Sequence, residues 1–191
     1  SMRRIIAVVA QYGGIAVVDE AYQPFASHTW LDEMRAEPAR YGHVLLMRTL
    51  SKFGLAGVRL GYMIGPRALV AEIDKVRPPY NVSVLNSEAA LFALEHADVF
   101  AAQAQELCAQ RTALVAALQA MEQVEKVWPS EANMVLLRVP DAARTQAAMK
   151  ARGVLVKNVS ALHPLLANCL RLTVGSAEEN TQMLAVLQES L

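Results

Sequence analysis

Over the first third of the chain, short runs of consecutive apolar residues alternate with helical patterns. Ile15-Ala16-Val17-Val18 is one such run, closed by Asp19-Glu20. A continuous apolar run of that length between turn signals predicts a strand buried in a parallel sheet. His43-Val44-Leu45-Leu46-Met47-Arg48 is a second, and Leu60-Gly61-Tyr62-Met63-Ile64-Gly65 a third, with Pro66 placed to start a helix. Ile5–Tyr12 reads as the end of a helix halted by Gly13-Gly14. The helix from Pro66 is expected to end before Pro78-Pro79, whose missing N–H groups forbid continuation.

From Val84 to about Met121 the pattern is helical and alanine-rich, with a break near His96–Asp98. An α+β rhythm follows: strands at Asn133–Val139, Val154–Lys157 and Cys169–Val174, a helix over Asp141–Arg152 stopped by Gly153, and a closing helix over Ser176–Leu191. Ser176 with Glu179 three residues on fits a capping box. The fold class is α/β, in three parts: residues 1–83 with the parallel-type strands, 84–122 as connecting helices, and 123–191 as a small α+β domain. Three buried parallel-type strands need a larger sheet with helices on both faces, so the front of the chain looks like part of a sheet.

Composition narrows the classes. With 54% hydrophobic and 19% charged residues, the 191-residue chain can build a good-sized core. Eighteen basic and 18 acidic residues balance to zero net charge, which gives no electrostatic case for nucleic acid or an anionic membrane. Cys108 and Cys169 show no CxxC spacing and read as small core residues of a reduced protein. The four histidines show no metal-ligand spacing, so no metal is expected. No apolar run reaches the roughly 18 residues of a membrane span, and Ile5–Val9 is too short for a signal-peptide core. Cytoplasm is the expected location. Ser1 reads as a cloning remnant ahead of Met2.

The chemistry concentrates in Arg48-Thr49-Leu50-Ser51-Lys52-Phe53-Gly54 and the Gly57-Val58-Arg59 that follows. A lysine stands just past a buried strand, after two hydroxyl residues and before a glycine-rich turn. A lysine amine that must form an imine has to lose its proton, against an ordinary pKa of roughly 10.4, so it needs burial or cationic neighbours. Hydroxyls and an arginine close by suit a phosphate, and glycines let the backbone approach a ligand. The bland alternative is a surface lysine beside a turn. Asp19 ends an earlier strand, and in a parallel sheet ligands collect at the carboxyl ends of strands. A carboxylate there can pair with a protonated pyridine nitrogen, and Tyr22, three residues on, can hydrogen-bond a phenolic oxygen. The alternative for Asp19 is a helix N-cap.

Val17-Val18-Asp19-Glu20-Ala21-Tyr22 and the run from Arg48 to Tyr62 together resemble fold-type I, class II aminotransferases, enzymes that use pyridoxal 5′-phosphate (PLP). The likeness continues through Pro79–Ser83, Ala132-Asn133-Met134 and Asn168–Gly175, and its whole pattern is nearest the histidinol-phosphate branch. The resemblance implies part of a PLP-binding large-domain sheet followed by a complete small C-terminal domain. It implies Lys52 as the cofactor-bearing catalytic residue, Asp19 on the ring nitrogen and Tyr22 on the ring oxygen. Thr49, Ser51 and Arg59 fall to the cofactor phosphate, and Arg171 to the substrate α-carboxylate, unless it is merely a strand arginine. Lys157 falls where the family places a cation near the substrate phosphate. Arginine is common there, and a solvated strand-end lysine is the competing reading.

The implied reaction is transamination: histidinol phosphate and 2-oxoglutarate to imidazole acetol phosphate and L-glutamate. Its partners are small amino and keto acids. The likeness begins midway through the family's large domain, so the phosphate loop, the ring-stacking aromatic and the asparagine that touches the ring oxygen find no counterpart. A ring without a stacking face is loosely oriented, so weak or absent turnover is expected of this chain alone. An incomplete sheet exposes an edge and an apolar face, and a homo-oligomer is expected, a homodimer by resemblance. The competing readings are a PLP decarboxylase or lyase on the same scaffold, and a non-catalytic remnant.

Overall fold

A left-handed glycine ends the first helix. In the computed structural model, which describes residues 2–191, α1 (Met2–Gln11) stops at Gly13, φ +65°, whose N–H bonds the Ala10 carbonyl at 3.0 Å. The reading of Ser1 as a cloning remnant concerns a residue outside that range. Contacts divide the chain into two units, one ending at Ala101 and the other spanning Ala102–Leu191.

The first unit continues with β1 (Ala16–Asp19), α2 (Trp30–Ala36), β2 (Val44–Thr49), β3 (Gly61–Ile64), α3 (Arg67–Asp74) and α4 (Val84–Glu95). The sheet order is β1-β2-β3. β1 and β2 run parallel, with Ala16 opposite Val44 and Asp19 opposite Met47. The third strand departs from expectation, because β3 is antiparallel to β2, with Thr49 opposite Gly61 and Leu46 opposite Ile64. Residues 50–60 form two short 3-10 turns that fold the chain straight back. A parallel return needs a crossover of a dozen or more residues, usually a helix.

Burial is also one-sided. Val18, Val44 and Leu46 share a face and pack with Ile6 of α1, Trp30 of α2 and Tyr41. Side chains alternate across a strand, so Val17 and Met47 point the other way and are 52% and 38% exposed, although Leu45 on that face is buried. The expected burial on both faces therefore holds on one. α1 and α2 are linked over the covered face by an Arg3–Glu33 ion pair.

The expected helix break is present, between α4 and α5 (Ala97–Gln119). Ser83 caps α4 by accepting the Asn86 N–H at 3.2 Å. α3 ends at Asp74, a turn ahead of Pro78.

In the second unit, β4 (Lys126–Val127), β5 (Met134–Arg138), β6 (Lys157–Asn158) and β7 (Cys169–Thr173) form an antiparallel sheet in the order β4-β5-β7-β6. Val135, Leu137, Leu170 and Leu172 face a core shared with Leu114 and Leu118 of α5, Met149 of α6 (Ala142–Ala151) and Leu187 of α7 (Ala177–Ser190). The capping box at Ser176 and Glu179 is formed, and Asp141 caps α6. The expected strand at Val154–Lys157 shrinks to Lys157–Asn158. The reason is local: Gly153, φ +81°, ends α6, and the Val154 N–H bonds back to the Met149 carbonyl, so these residues belong to the helix exit. Both cysteines are free. Cys169 is in the core, whereas Cys108 is only half-buried. Among the described residues no helix is long and apolar enough to cross a membrane, and no group of His, Cys, Asp and Glu could hold a metal ion.

Candidate active site

The carboxyl ends of β1 and β2 lie side by side because the strands are parallel and in register. Asp19 is the last residue of β1, and Thr49 the last of β2. Thr49 turns the chain: its Oγ1 accepts the Ser51 N–H at 3.0 Å and donates to the Leu60 carbonyl at 3.3 Å. The 3-10 turn it opens, Leu50–Lys52, carries the lysine. Gly54 follows with φ +102°, and a Cβ there would fall 2.8 Å from the Phe100 ring, so both conformation and space demand glycine.

Lys52 is half-buried. Its Nζ lies over the Tyr22 ring, 4.9 Å from the centroid, within the range of a cation–π contact. Arg59 reaches back over the same turn, its Nη1 donating to Ser51 Oγ at 3.5 Å and to the Ala56 carbonyl at 3.4 Å. Arg59 holds φ +53°, a left-handed conformation that costs a non-glycine residue about 1–3 kcal/mol. Among the described residues no carboxylate pairs with Lys52 or Arg59. A hydroxyl, a guanidinium and an amine without counter-charges fit a phosphate-bearing aldehyde.

Asp19 is exposed, and its Oδ1 accepts the Ala21 N–H at 2.9 Å. That is a local turn. The short helix that follows begins after Tyr22 and has no side-chain cap, from Asp19 or from Tyr22. One carboxylate oxygen is thus engaged with the backbone at the strand end.

The remaining two candidates are in the second unit. Arg171 of β7 is the register partner of Lys157 of β6. Lys157 is exposed, as its strand-end position allows. Arg171 is half-buried, and its Nε is buried with no hydrogen-bond partner. A buried donor left unpaired costs about 1–3 kcal/mol, which an anionic ligand would recover.

Glu20 and Arg48, outside the expected site, form a dense polar cluster beside it. Arg48 donates through Nε and Nη2 to Glu20 Oε2 at 3.1 and 2.9 Å, and through Nη2 to Thr29 Oγ1 at 2.7 Å. Glu20 also accepts from the Thr29 hydroxyl and, at 2.6 Å, from the Trp30 N–H. The signal was the strand period: Glu20 follows Asp19 and Arg48 precedes Thr49, so both turn to the covered face. Beside them lies a cleft of about 200 Å³ walled by Glu20, Gln23, Arg48, Thr49, Phe53 and Tyr62. It shares only Thr49 with the expected site, because the face carrying Asp19 is open to solvent.

Residues 1–187 match the family described as aminotransferase class I and II. The chain belongs to that family. It is 74% identical over 190 residues to the histidinol-phosphate aminotransferase of Acidovorax sp. (strain JS42), covering 100% of this chain and 52% of that protein. The same-named protein of Polaromonas naphthalenivorans (strain CJ2) is 65% identical over 190 residues, with coverage of 100% and 51%. The chain thus spans about half the length of these curated relatives. Among solved structures, the histidinol-phosphate aminotransferase of Clostridium acetobutylicum superposes with a TM-score of 0.86 at 18% identity, covering 97% of this chain and 57% of that one. That of Sinorhizobium meliloti, in complex with pyridoxal 5′-phosphate, gives 0.71 at 23% identity, covering 98% and 52%. At such identities the likeness speaks for the aminotransferase fold.

Proposed function

We propose that this chain carries the lysine-bearing part of a PLP-dependent aminotransferase acting on histidinol phosphate and 2-oxoglutarate. The observation that carries the reading is the Lys52 amine, unpaired and over Tyr22, at the ends of two parallel strands. The curated relatives at 74% and 65% identity supply the substrate class.

PLP supplies an aldehyde for the amine and a ring that draws off the electron pair left when the substrate Cα loses its proton. We assign the following residues to hold it. Ser51 and Arg59 present a hydroxyl and a guanidinium to the phosphate, with Thr49 shaping the turn. Asp19, with one oxygen on the Ala21 N–H, offers its carboxylate to the ring nitrogen. Tyr22 offers its hydroxyl to the ring oxygen. Lys52 Nζ is the base that takes the Cα proton and returns it one bond further along. In the second unit, Arg171 would take the α-carboxylate through a two-pronged guanidinium, and Lys157 the substrate phosphate.

The finer parts of the reading are these. Residues of the second unit make up a whole small domain, the protein works in the cytoplasm, and copies associate as a homodimer. Two free thiols support a reducing compartment, and exposed apolar side chains such as Ile5, Val8 and Val17 support association. Turnover by the 191-residue chain alone is weak, since it spans half the length of its relatives.

The test is spectroscopic. Purified protein mixed with PLP should develop visible absorbance that Lys52→Ala abolishes. Absorbance that survives this substitution overturns the assignment. Product analysis with histidinol phosphate, keto product against carbon dioxide, separates transamination from decarboxylation.

A further inference from the structure

We infer that Glu20 and Arg48 are positioning residues, which set the two halves of the candidate site against each other from the far side of the sheet. The inference rests on the reading of Lys52 and Asp19 given above. The two halves are on separate strands. β1 delivers Asp19, and β2 delivers Thr49 and, one turn later, Lys52. Their ladder ends where it is needed most: the last register pair is Asp19 opposite Met47, and beyond it one backbone bond, Glu20 N–H to the Met47 carbonyl at 2.8 Å, joins the strands.

Past that point side chains take over. Alternation turns Asp19 and Thr49 to the open face and Glu20 and Arg48 to the covered one. The two-bonded contact between Glu20 and Arg48 spans the same gap that separates Asp19 from Thr49. It is well shielded, with side-chain exposures of 8% for Glu20 and 14% for Arg48. It is also fully satisfied at its centre. Thr29 has one hydroxyl proton, given to Glu20, while its oxygen accepts from Arg48 and from the Leu31 N–H that opens α2. Glu20 takes the Trp30 N–H as well. Two strand ends and a helix start are therefore joined at one carboxylate, directly beneath the residues assigned to the cofactor. A charged pair of this kind, shielded and two-pronged, has one geometry, so splay between the strand ends is blocked.

The experiment uses the full 191-residue chain as wild type, Glu20→Gln, the double variant Glu20→Gln/Arg48→Met, and Thr29→Ala. The double variant removes both charges, so a strand-end effect can be read even if the single variant folds poorly. Amide hydrogen exchange is measured without PLP, and PLP uptake is titrated by visible absorbance. Both Glu20 variants should raise exchange at residues 19–21 and 50–52 by about ten-fold over any change at residues 63–64, and weaken uptake by about ten-fold. Thr29→Ala should raise exchange chiefly at the start of α2. Exchange that rises evenly across residues 2–101, or at only one strand end, would overturn the inference. Wild type that takes up no PLP through Lys52 removes the reading of the site instead, and the exchange pattern still decides the positioning role.

Discussion

Lys52 Nζ lies 4.9 Å from the centre of the Tyr22 ring, and that contact joins the two segments that carry the candidate chemistry. It makes a separable prediction for the ring and its hydroxyl. Tyr22→Phe keeps the cation–π face and should retain PLP uptake, while the pH at which the visible band changes moves upward, because the hydroxyl no longer stabilises the ring oxygen's anionic form. Tyr22→Ala removes the face too and should weaken uptake where Tyr22→Phe does not, by a contact worth about 0.5–2 kcal/mol. Absorbance titrations across pH check both. An unchanged midpoint in Tyr22→Phe would detach Tyr22 from the cofactor.

Arg59 combines strain with an expected ligand role. Arg59→Gly removes the cost of φ +53° and should leave thermal stability unchanged or raise it by about 1 kcal/mol. The same change should weaken binding of PLP by roughly ten-fold or more and leave pyridoxal, which lacks the phosphate, unaffected. Equal losses for both compounds would mean that Arg59 supports the turn and not the phosphate.

Arg171→Met tests the orphaned donor. Replacing the arginine by an apolar side chain of similar length removes the unpaired buried Nε, so stability should hold within about 1 kcal/mol. Saturable protection of the wild-type second unit by a dicarboxylate, seen as a rise in melting temperature, should vanish in the variant. A large loss of stability would show that Arg171 is a packing residue.

Glu178, at the start of α7, is held below the ordinary carboxylate value of 4.5, first by its own backbone N–H and then by the Ser176 hydroxyl. A depressed folded value means that its stabilising contribution is complete above about pH 4.5 and fades as pH falls through the folded value. Ser176→Ala should return the Glu178 titration part of the way and cost about 1 kcal/mol through the lost cap. Carboxyl shifts followed by NMR measure the first effect, and urea unfolding the second.

Leu170 is completely buried between β5 and the helices of the second unit. Leu170→Ala should destabilise that unit by about 2–5 kcal/mol, read from its urea transition. The PLP band should persist in urea too weak to unfold the first unit. Loss of the band together with the second unit's transition would show that the two units fold as one.

Much of the candidate site was legible because its residues are local. Thr49, Ser51 and Lys52 fall within one turn, and Arg59 answers Ser51 across the next, so spacing alone groups them. Asp19 follows from a general rule about strand ends, and Tyr22 from its place three residues on. Caps were legible for the same reason: Ser176 and Glu179 are three residues apart, and their bond is decided by helix geometry.

What depended on long-range pairing was not legible. An apolar run such as Leu60–Gly65 cannot say which way it will pair, and only the closing turns at residues 50–60 made β3 antiparallel. Nor can a run of four apolar residues report which of its faces will be covered. Glu20 and Arg48 are 28 positions apart, and nothing local joins them. The chain by itself determined the alternation of side chains along each strand and the local turn that carries Lys52. The tertiary structure decided that two such ends meet, because parallel register brings distant residues to one edge and alternation then sorts a buried ion pair beneath an open site.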